Sequence, residues 1–291
     1  MIVKDGVYTN IDFEEYLKID AFSKSMVDST LKSGLHLKHY MDNPKTGDRL
    51  DVGSLVDCLL LEPELFEDQY RVLPLTSEDA KGNEKPFSMQ LKAAKELVAK
   101  IYAEGHTPIK KDVLDVCKLV VERIKSHPLA SKWLDGSVSQ VTVVWTDPDT
   151  GVRCKARPDA LKADHLIDLK TTECALPNTF SRIAFNFGYH IQSAMYHDGI
   201  SFVKNGKYPE EWDMPCSIIC AEVAEPYDVV CYTFDQEESL FAGRVQYREA
   251  LRRYADIKEA GEYKGYSDYN EELKIPQWAI SKINYDGESV L

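Results

Sequence analysis

The segment 165–172, HLIDLKTT, most constrains what this chain can become. Leu166, Ile167 and Leu169 make it apolar enough for a buried strand, yet Asp168 and Lys170 stand in its middle. Side chains alternate across a strand, so Asp168 and Lys170 share one face while Ile167 and Leu169 share the other. Such a strand can lie at an edge with a surface ion pair, or sit inside a sheet with an acid and an ammonium facing a site. The surrounding sequence has to choose.

Upstream, residues 137–161 contain two β-rich runs around Asp147-Pro148-Asp149-Thr150-Gly151, a hairpin signal. Residues 177–204 read as one long helix despite Gly188, and CSIICAEV (216–223) and DVVCYTF (228–234) read as two further strands. A charged amphipathic helix is expected over 235–260. The first third reads as helical. A helix capped by Asp20 or Ser23 runs to Asn43-Pro44, and another stops near Pro63. Two more cover roughly 88–104 and 110–125, and a short one lies near 127–134. The polar stretch 74–87 reads as a surface loop. Helices, three strands, a helix, two strands and a helix predict an α/β sheet with helical cover, its N-terminal helical part sharing the core. No linker marks a cut, so one domain is expected over 1–291: a mainly helical part (1–135), an α/β core (136–262) and a tail (263–291).

Lysine and arginine number 35 against 48 aspartate and glutamate, a formal net charge of −13. That balance opposes broad adhesion to nucleic acid or anionic membrane, but not a local basic groove or an acidic site that needs a divalent cation. The seven cysteines form no CxxC pair, which argues against structural zinc and fits reduced thiols in the cytoplasm. No apolar leader and no 18-residue apolar run is present, so no membrane association is expected.

Nine residues before Asp168 stands Asp159, in KARPDAL, where Pro158 suits a strand end. Carboxylates from neighbouring strands can converge, and their repulsion raises one pKa unless a cation relieves it. Hard oxygen ligands select Mg²⁺, with Mn²⁺ as a substitute. Lys170 can orient an attacking water or stabilise charge on a phosphate. In GYHIQSAMYHDG, Tyr189, Gln192 and Tyr196 fall on one helical face. They can hold a nucleic acid backbone or a water, or form an ordinary half-buried face. Ser23, Lys24 and Ser25, Arg157, and Thr171 and Thr172 are candidates for phosphate contact, Lys24 reading equally well as a solvated helix residue and Arg157 as the partner of a carboxylate.

These segments together, ARPDAL, LIDLKTT and YHIQSAMYHDG, resemble the PD-(D/E)xK nuclease superfamily, and more closely the exonuclease VIII type of prophage recombination systems within the RecB-like group. Further stretches agree: residues 14–40 resemble the family's N-terminal segment, GSLVDCLLLEPELF its helix before a Glu-Pro, residues 143–159 its strand pair, and IPQWA its C-terminal end. The resemblance implies a restriction-endonuclease-like mixed sheet flanked by helices. It also implies a Mg²⁺-dependent exonuclease that degrades linear double-stranded DNA from its ends, five-prime to three-prime. Ring-shaped homo-oligomers and a phage single-strand annealing protein are its implied partners. Asp159 and Asp168 match the metal carboxylates, Lys170 the catalytic lysine, and Gln192 and Tyr196 the Q-x-x-x-Y motif. Asp57 stands where the family carries a metal-binding histidine, and either replaces it as a ligand or has lost the role. A structure-specific endonuclease, or a DNA-end-binding scaffold with weakened catalysis, remains open on the same residues.

Overall fold

The computed structural model describes residues 3–43, 52–79 and 81–281. The chain runs through β1 (Gly6–Tyr8), α1 (Phe13–Lys18), α2 (Lys24–Lys32), α3 (Gly34–Asp42), α4 (Val52–Leu61), α5 (Phe66–Gln69), β2 (Tyr70–Val72), β3 (Thr76–Glu78) and β4 (Glu84–Pro86). It continues with α6 (Lys92–Ala103), β5 (Thr107–Ile109), α7 (Lys111–Ser126), α8 (Pro128–Leu134), β6 (Val138–Ser139), β7 (Thr142–Thr146), β8 (Arg153–Ala156), β9 (Ala160–Lys162) and β10 (His165–Thr172). The last part holds α9 (Pro177–Asn186), α10 (Tyr189–Asn205), β11 (Cys216–Glu222), β12 (Val229–Thr233), α11 (Phe241–Ala260) and α12 (Gln277–Ile280). None of the described helices is long and apolar enough to cross a membrane.

The central sheet has the order β12-β11-β10-β9-β6, with β10 parallel to β11 and the other neighbours antiparallel. It is therefore the mixed sheet expected. Strand β10 is internal, which rules out the edge-strand reading of Asp168 and Lys170. Helices cover both faces. Ile167, Leu169, Ile219 and Ala221 pack on one side against Leu55 and Val56 of α4 and Val120 and Val121 of α7. On the other side Ile218 and Cys220 pack with Phe180 of α9. A second sheet, β1-β7-β8, packs through Val143, Trp145 and Cys154 on α10 and α11. Asp159 lies in the short link between the two sheets, between β8 and β9.

The N-terminal segment is stitched onto β8. Phe22 N–H donates to the Arg153 carbonyl at 2.7 Å, and Lys155 N–H donates to the Phe22 carbonyl at 2.8 Å. Lys155 Nζ donates to the carbonyls of Tyr16 and Ile19 at 2.9 and 2.8 Å, closing the end of α1. These bonds start α2 directly beside the link that carries Asp159.

Several elements differ from expectation. The single helix expected after Ser23 is two, because Ser33 is extended (φ −172°, ψ 166°) and its hydroxyl accepts from His36 N–H as a new N-cap. Asn43 ends α3 as expected, and Pro44 lies outside the described residues. The long helix over 177–204 is α9 and α10, separated at Gly188, whose φ of 64° is left-handed and favours glycine. The loop over 74–87 contains the hairpin β3-β4, exposed and without apolar alternation.

Helices α10 and α11 approach closely at Gly243, where a Cβ would stand 2.4 Å from the His190 carbonyl oxygen. No side-chain rotation relieves a clash with backbone. Gly243→Ala is expected to cost about 2–3 kcal/mol, the upper range for overpacking. A lowered urea midpoint at unchanged slope is the expected reading, and an unchanged midpoint would contradict this packing.

Candidate functional site

The central feature is a compact cluster of acids and ammonium on β10 and the β8–β9 link. Asp168 is 6 % exposed. Its Oδ2 pairs with Lys170 Nζ at 2.5 Å, and its Oδ1 accepts from Gln192 Nε2 of α10 at 2.6 Å. Asp159 is fixed by its own bonds. Oδ2 accepts from Leu169 N–H at 2.7 Å, which ties the β8–β9 link to β10 in mid-strand. The Gln140 amide reaches Asp159 Oδ1 at 3.5 Å, and Gln140 N–H donates to the Asp159 carbonyl at 2.9 Å.

Electrostatics within the cluster are uneven. Burial, then Asp168 and then Asp57 push the Asp159 carboxyl well above the ordinary range, outweighing Lys170 and the Leu169 amide. Burial disfavours the Lys170 ammonium, but Asp168 and Asp159 overcome it and hold its pKa above the ordinary lysine value. The Tyr189 ring lies 4.9 Å from Lys170 Nζ, a cation–π contact from the start of α10. Lys170 is thus a fixed cation at neutral pH.

The sequence-predicted residues separate into groups. Asp159, Asp168, Lys170 and Gln192 meet as described. The pKa of Tyr196, half-buried, is pushed well above the ordinary range by burial first, then by Tyr16, Asp168 and Asp159, against a hydrogen bond from the Arg157 backbone N–H. Asp57, half-buried on α4, is near enough to raise Asp159. Among the described residues, however, no group of three or more His, Cys, Asp and Glu side chains has the arrangement to hold a metal ion. Ser23 and Ser25 bond each other at 2.9 Å at the start of α2.

Four expected DNA contacts are engaged elsewhere. The Arg157 side chain, on a residue 8 % exposed, donates to Gln140 Oε1 at 3.0 Å, to the Ile11 carbonyl at 2.7 Å and to Thr142 Oγ1 at 3.0 Å. It braces the Asp159 link from inside, and its neighbour Glu62 lies 4.0 Å away. Thr171 stands on the strand face of Ile167 and Leu169, opposite to Asp168 and Lys170. Thr172 is buried, and its hydroxyl donates to the Cys174 carbonyl. Gln192 serves the acid rather than a strand of DNA, since its amide is committed to Asp168.

Two residues emerge that the sequence did not single out in these roles. Lys24, read both as a phosphate contact and as a solvated helix residue, turns toward the start of α10. Its Nζ donates to the Phe187 carbonyl, and its electrostatic neighbours are Asp28, Lys170 and Asp168. Gln140 sits at φ 51° and joins Arg157 to Asp159. A non-glycine residue held there is strained unless its surroundings fix it, and here the Asp159 and Arg157 bonds do so. Only a positive φ could have signalled it, and sequence does not carry that.

The donor set fits a hard divalent cation. Burial and then the neighbouring Asp168 push the Asp159 pKa up, so the two carboxylates repel, and both offer hard oxygen donors. Asp159 and Asp168 would hold such an ion.

A search of solved structures gives a protein with the same overall architecture: a "Putative exonuclease" from Eubacterium rectale. It is 15 % identical, with 97 % of this chain and 98 % of that chain covered at a TM-score of 0.55. At that identity the likeness establishes the fold alone. The alkaline exonuclease LHK-Exo from Laribacter hongkongensis is 15 % identical, with 60 % of this chain and 87 % of that chain covered. Its TM-score of 0.27 is too low to carry an argument. No curated protein sequence matches the chain. The PDDEXK-like domain of unknown function (DUF3799) matches over residues 22–274, from the Phe22 stitch through the acid pair to the segment beyond α11. The chain is a member of that PDDEXK-like family.

Proposed function

We propose that this protein is a Mg²⁺-dependent deoxyribonuclease of the exonuclease VIII type, degrading linear double-stranded DNA from its ends, five-prime to three-prime, in phage or prophage recombination. The observation that carries the reading is the meeting of Asp159, Asp168 and Lys170 on an internal strand and its neighbouring link. A divalent ion held by the two carboxylates would supply charge stabilisation at the phosphate and a more acidic water. Lys170, a fixed ammonium, orients the nucleophilic water and stabilises charge developing on the phosphate. Gln192 holds Asp168 in the orientation that binding a cation requires. Ser23, Ser25 and Tyr196 contact the DNA backbone.

A net charge of −13 favours capture of ends over adhesion along a duplex. The same reading places the protein in the cytoplasm as one nuclease domain, a homo-oligomer that works with a single-strand annealing protein. Time courses on linear, nicked and circular duplexes test it. Loss of linear DNA with covalently closed circles intact is expected. Cleavage of closed circles would support an endonuclease, and end binding in Ca²⁺ without cleavage in Mg²⁺ or Mn²⁺ would support a scaffold.

Asp57 contributes a third negative charge beside Asp159. Asp57→Asn is expected to weaken the apparent affinity for Mg²⁺ by about 10-fold, ordinary for one charge at short range. Titrating activity against Mg²⁺ checks this, and unchanged half-saturation would remove Asp57 from the metal site.

A further inference from the structure

The break between α9 and α10 gathers features that the acid pair does not account for. Phe187 is 60 % exposed, a large apolar surface left to water. Single exposed apolar residues are ordinary, but this ring belongs to an ordered stack. It lies parallel to the Tyr189 ring at 5.9 Å, interplanar angle 16°, and the Tyr189 ring in turn faces Lys170 Nζ. The backbone of Phe187 is fixed as well, because its carbonyl accepts from Lys24 Nζ. Gly188, at a left-handed φ of 64°, permits the turn, and a Cβ there would crowd Ile191 Cδ1 at 3.1 Å.

Lys24 is the second feature. Among the described residues it forms no ion pair, and its one hydrogen bond goes to a neutral carbonyl. An ammonium has three donors, so two remain. A second cation, 146 positions before Lys170 in sequence, thus stands within electrostatic reach of it, and Asp28, one turn along α2, acts on it without forming an ion pair.

We propose that Phe187 and Lys24 form a nucleotide subsite beside the acid pair, with the base of a terminal nucleotide stacked on the Phe187 ring and its phosphate held by Lys24. The subsite deepens, and rests on, the nuclease reading above. Every base has a π face, so stacking of this kind tolerates any sequence, as a non-selective exonuclease requires. A ring stacked on Tyr189 on one face and anchored through its backbone loses little freedom when a base covers the other face.

The test measures affinity in Ca²⁺ for short duplexes over a salt series. The duplexes carry either intact ends or a terminal nucleotide lacking its base on one strand or the other. Phe187→Ala is expected to weaken binding to intact ends about 10-fold. It is expected to change nothing for the duplex whose stacked base is missing, and Phe187→Trp is expected to retain affinity for intact ends. Lys24→Met is expected to reduce the slope of log K against log salt by about 0.9, the signature of one lost phosphate contact. Phe187→Ala is expected to leave that slope alone. Equal affinities of wild type and Phe187→Ala for intact ends would overturn the base contact. So would equal losses on intact and abasic ends, which would mark Phe187 as structural. An unchanged slope in Lys24→Met would overturn the phosphate contact. The nuclease reading fails separately, if wild type binds ends in Ca²⁺ yet cleaves nothing in Mg²⁺. A wild type that binds no DNA overturns both.

Discussion

Lys170→Ala is expected to slow cleavage of linear duplex DNA by at least about 10³-fold while leaving end binding in Ca²⁺ within a few-fold of wild type. Removing a single donor to developing charge costs about this much where the donor is fixed and water is limited. Lys170 meets both conditions, being held by Asp168 at 2.5 Å and by the Tyr189 ring, with its side chain 19 % exposed. Lys170→Arg is not expected to rescue, because a planar guanidinium cannot reproduce a compact ammonium at one point. The check is single-turnover cleavage under saturating protein, which separates chemistry from binding. A rate within about 10-fold of wild type would contradict the role given to Lys170.

Asp159→Asn is expected to have opposite effects on activity and stability. Cleavage is lost with the metal carboxylate. The metal-free fold, however, gains stability at neutral pH. The sign follows from linkage. Burial, Asp168 and Asp57 raise the Asp159 pKa in the folded state above its unfolded value. The folded state therefore binds the proton more tightly, and stability falls as pH rises from the unfolded pKa through the folded one. At neutral pH a carboxyl at position 159 therefore opposes folding in the absence of a cation. Asparagine removes that carboxyl, and its amide oxygen still accepts from Leu169 N–H. Metal-free Asp159→Asn is expected to melt above metal-free wild type at pH 7, with the gap shrinking as pH falls toward 4. Adding Mg²⁺ is expected to raise the melting temperature of wild type only, since a ligand that binds the native state stabilises it. A variant that melts lower than wild type at pH 7 without metal would contradict the account.

The sequence made strand β10 legible because alternation and apolar content agree there, and the acid–lysine face could be read directly. An α/β sheet with helical cover followed from the order of the elements, and its mixed strand directions from the family resemblance. Short strands did not: β9 spans three residues and is defined by its pairing with β10 and β6. The break at Gly188 was hidden by helical sequence on both sides. It appears in the structure where Gly188 takes a left-handed φ of 64°. Arg157 read as a DNA contact because it precedes Pro158-Asp159, yet its partners are Gln140, Thr142 and Ile11, which local pattern does not reveal. For the same reason Gln140 went unseen. Contacts between segments far apart in sequence decide which cation faces the acids and which is spent inside.

The central claim is that Asp159 and Asp168 hold a divalent ion within reach of Lys170. The anomalous scattering of Mn²⁺ in a soaked crystal tests it most directly. The account predicts a peak between the two carboxylates, absent in crystals of Asp159→Asn. A peak elsewhere in the molecule, with both carboxylates unoccupied at saturating Mn²⁺, would contradict it.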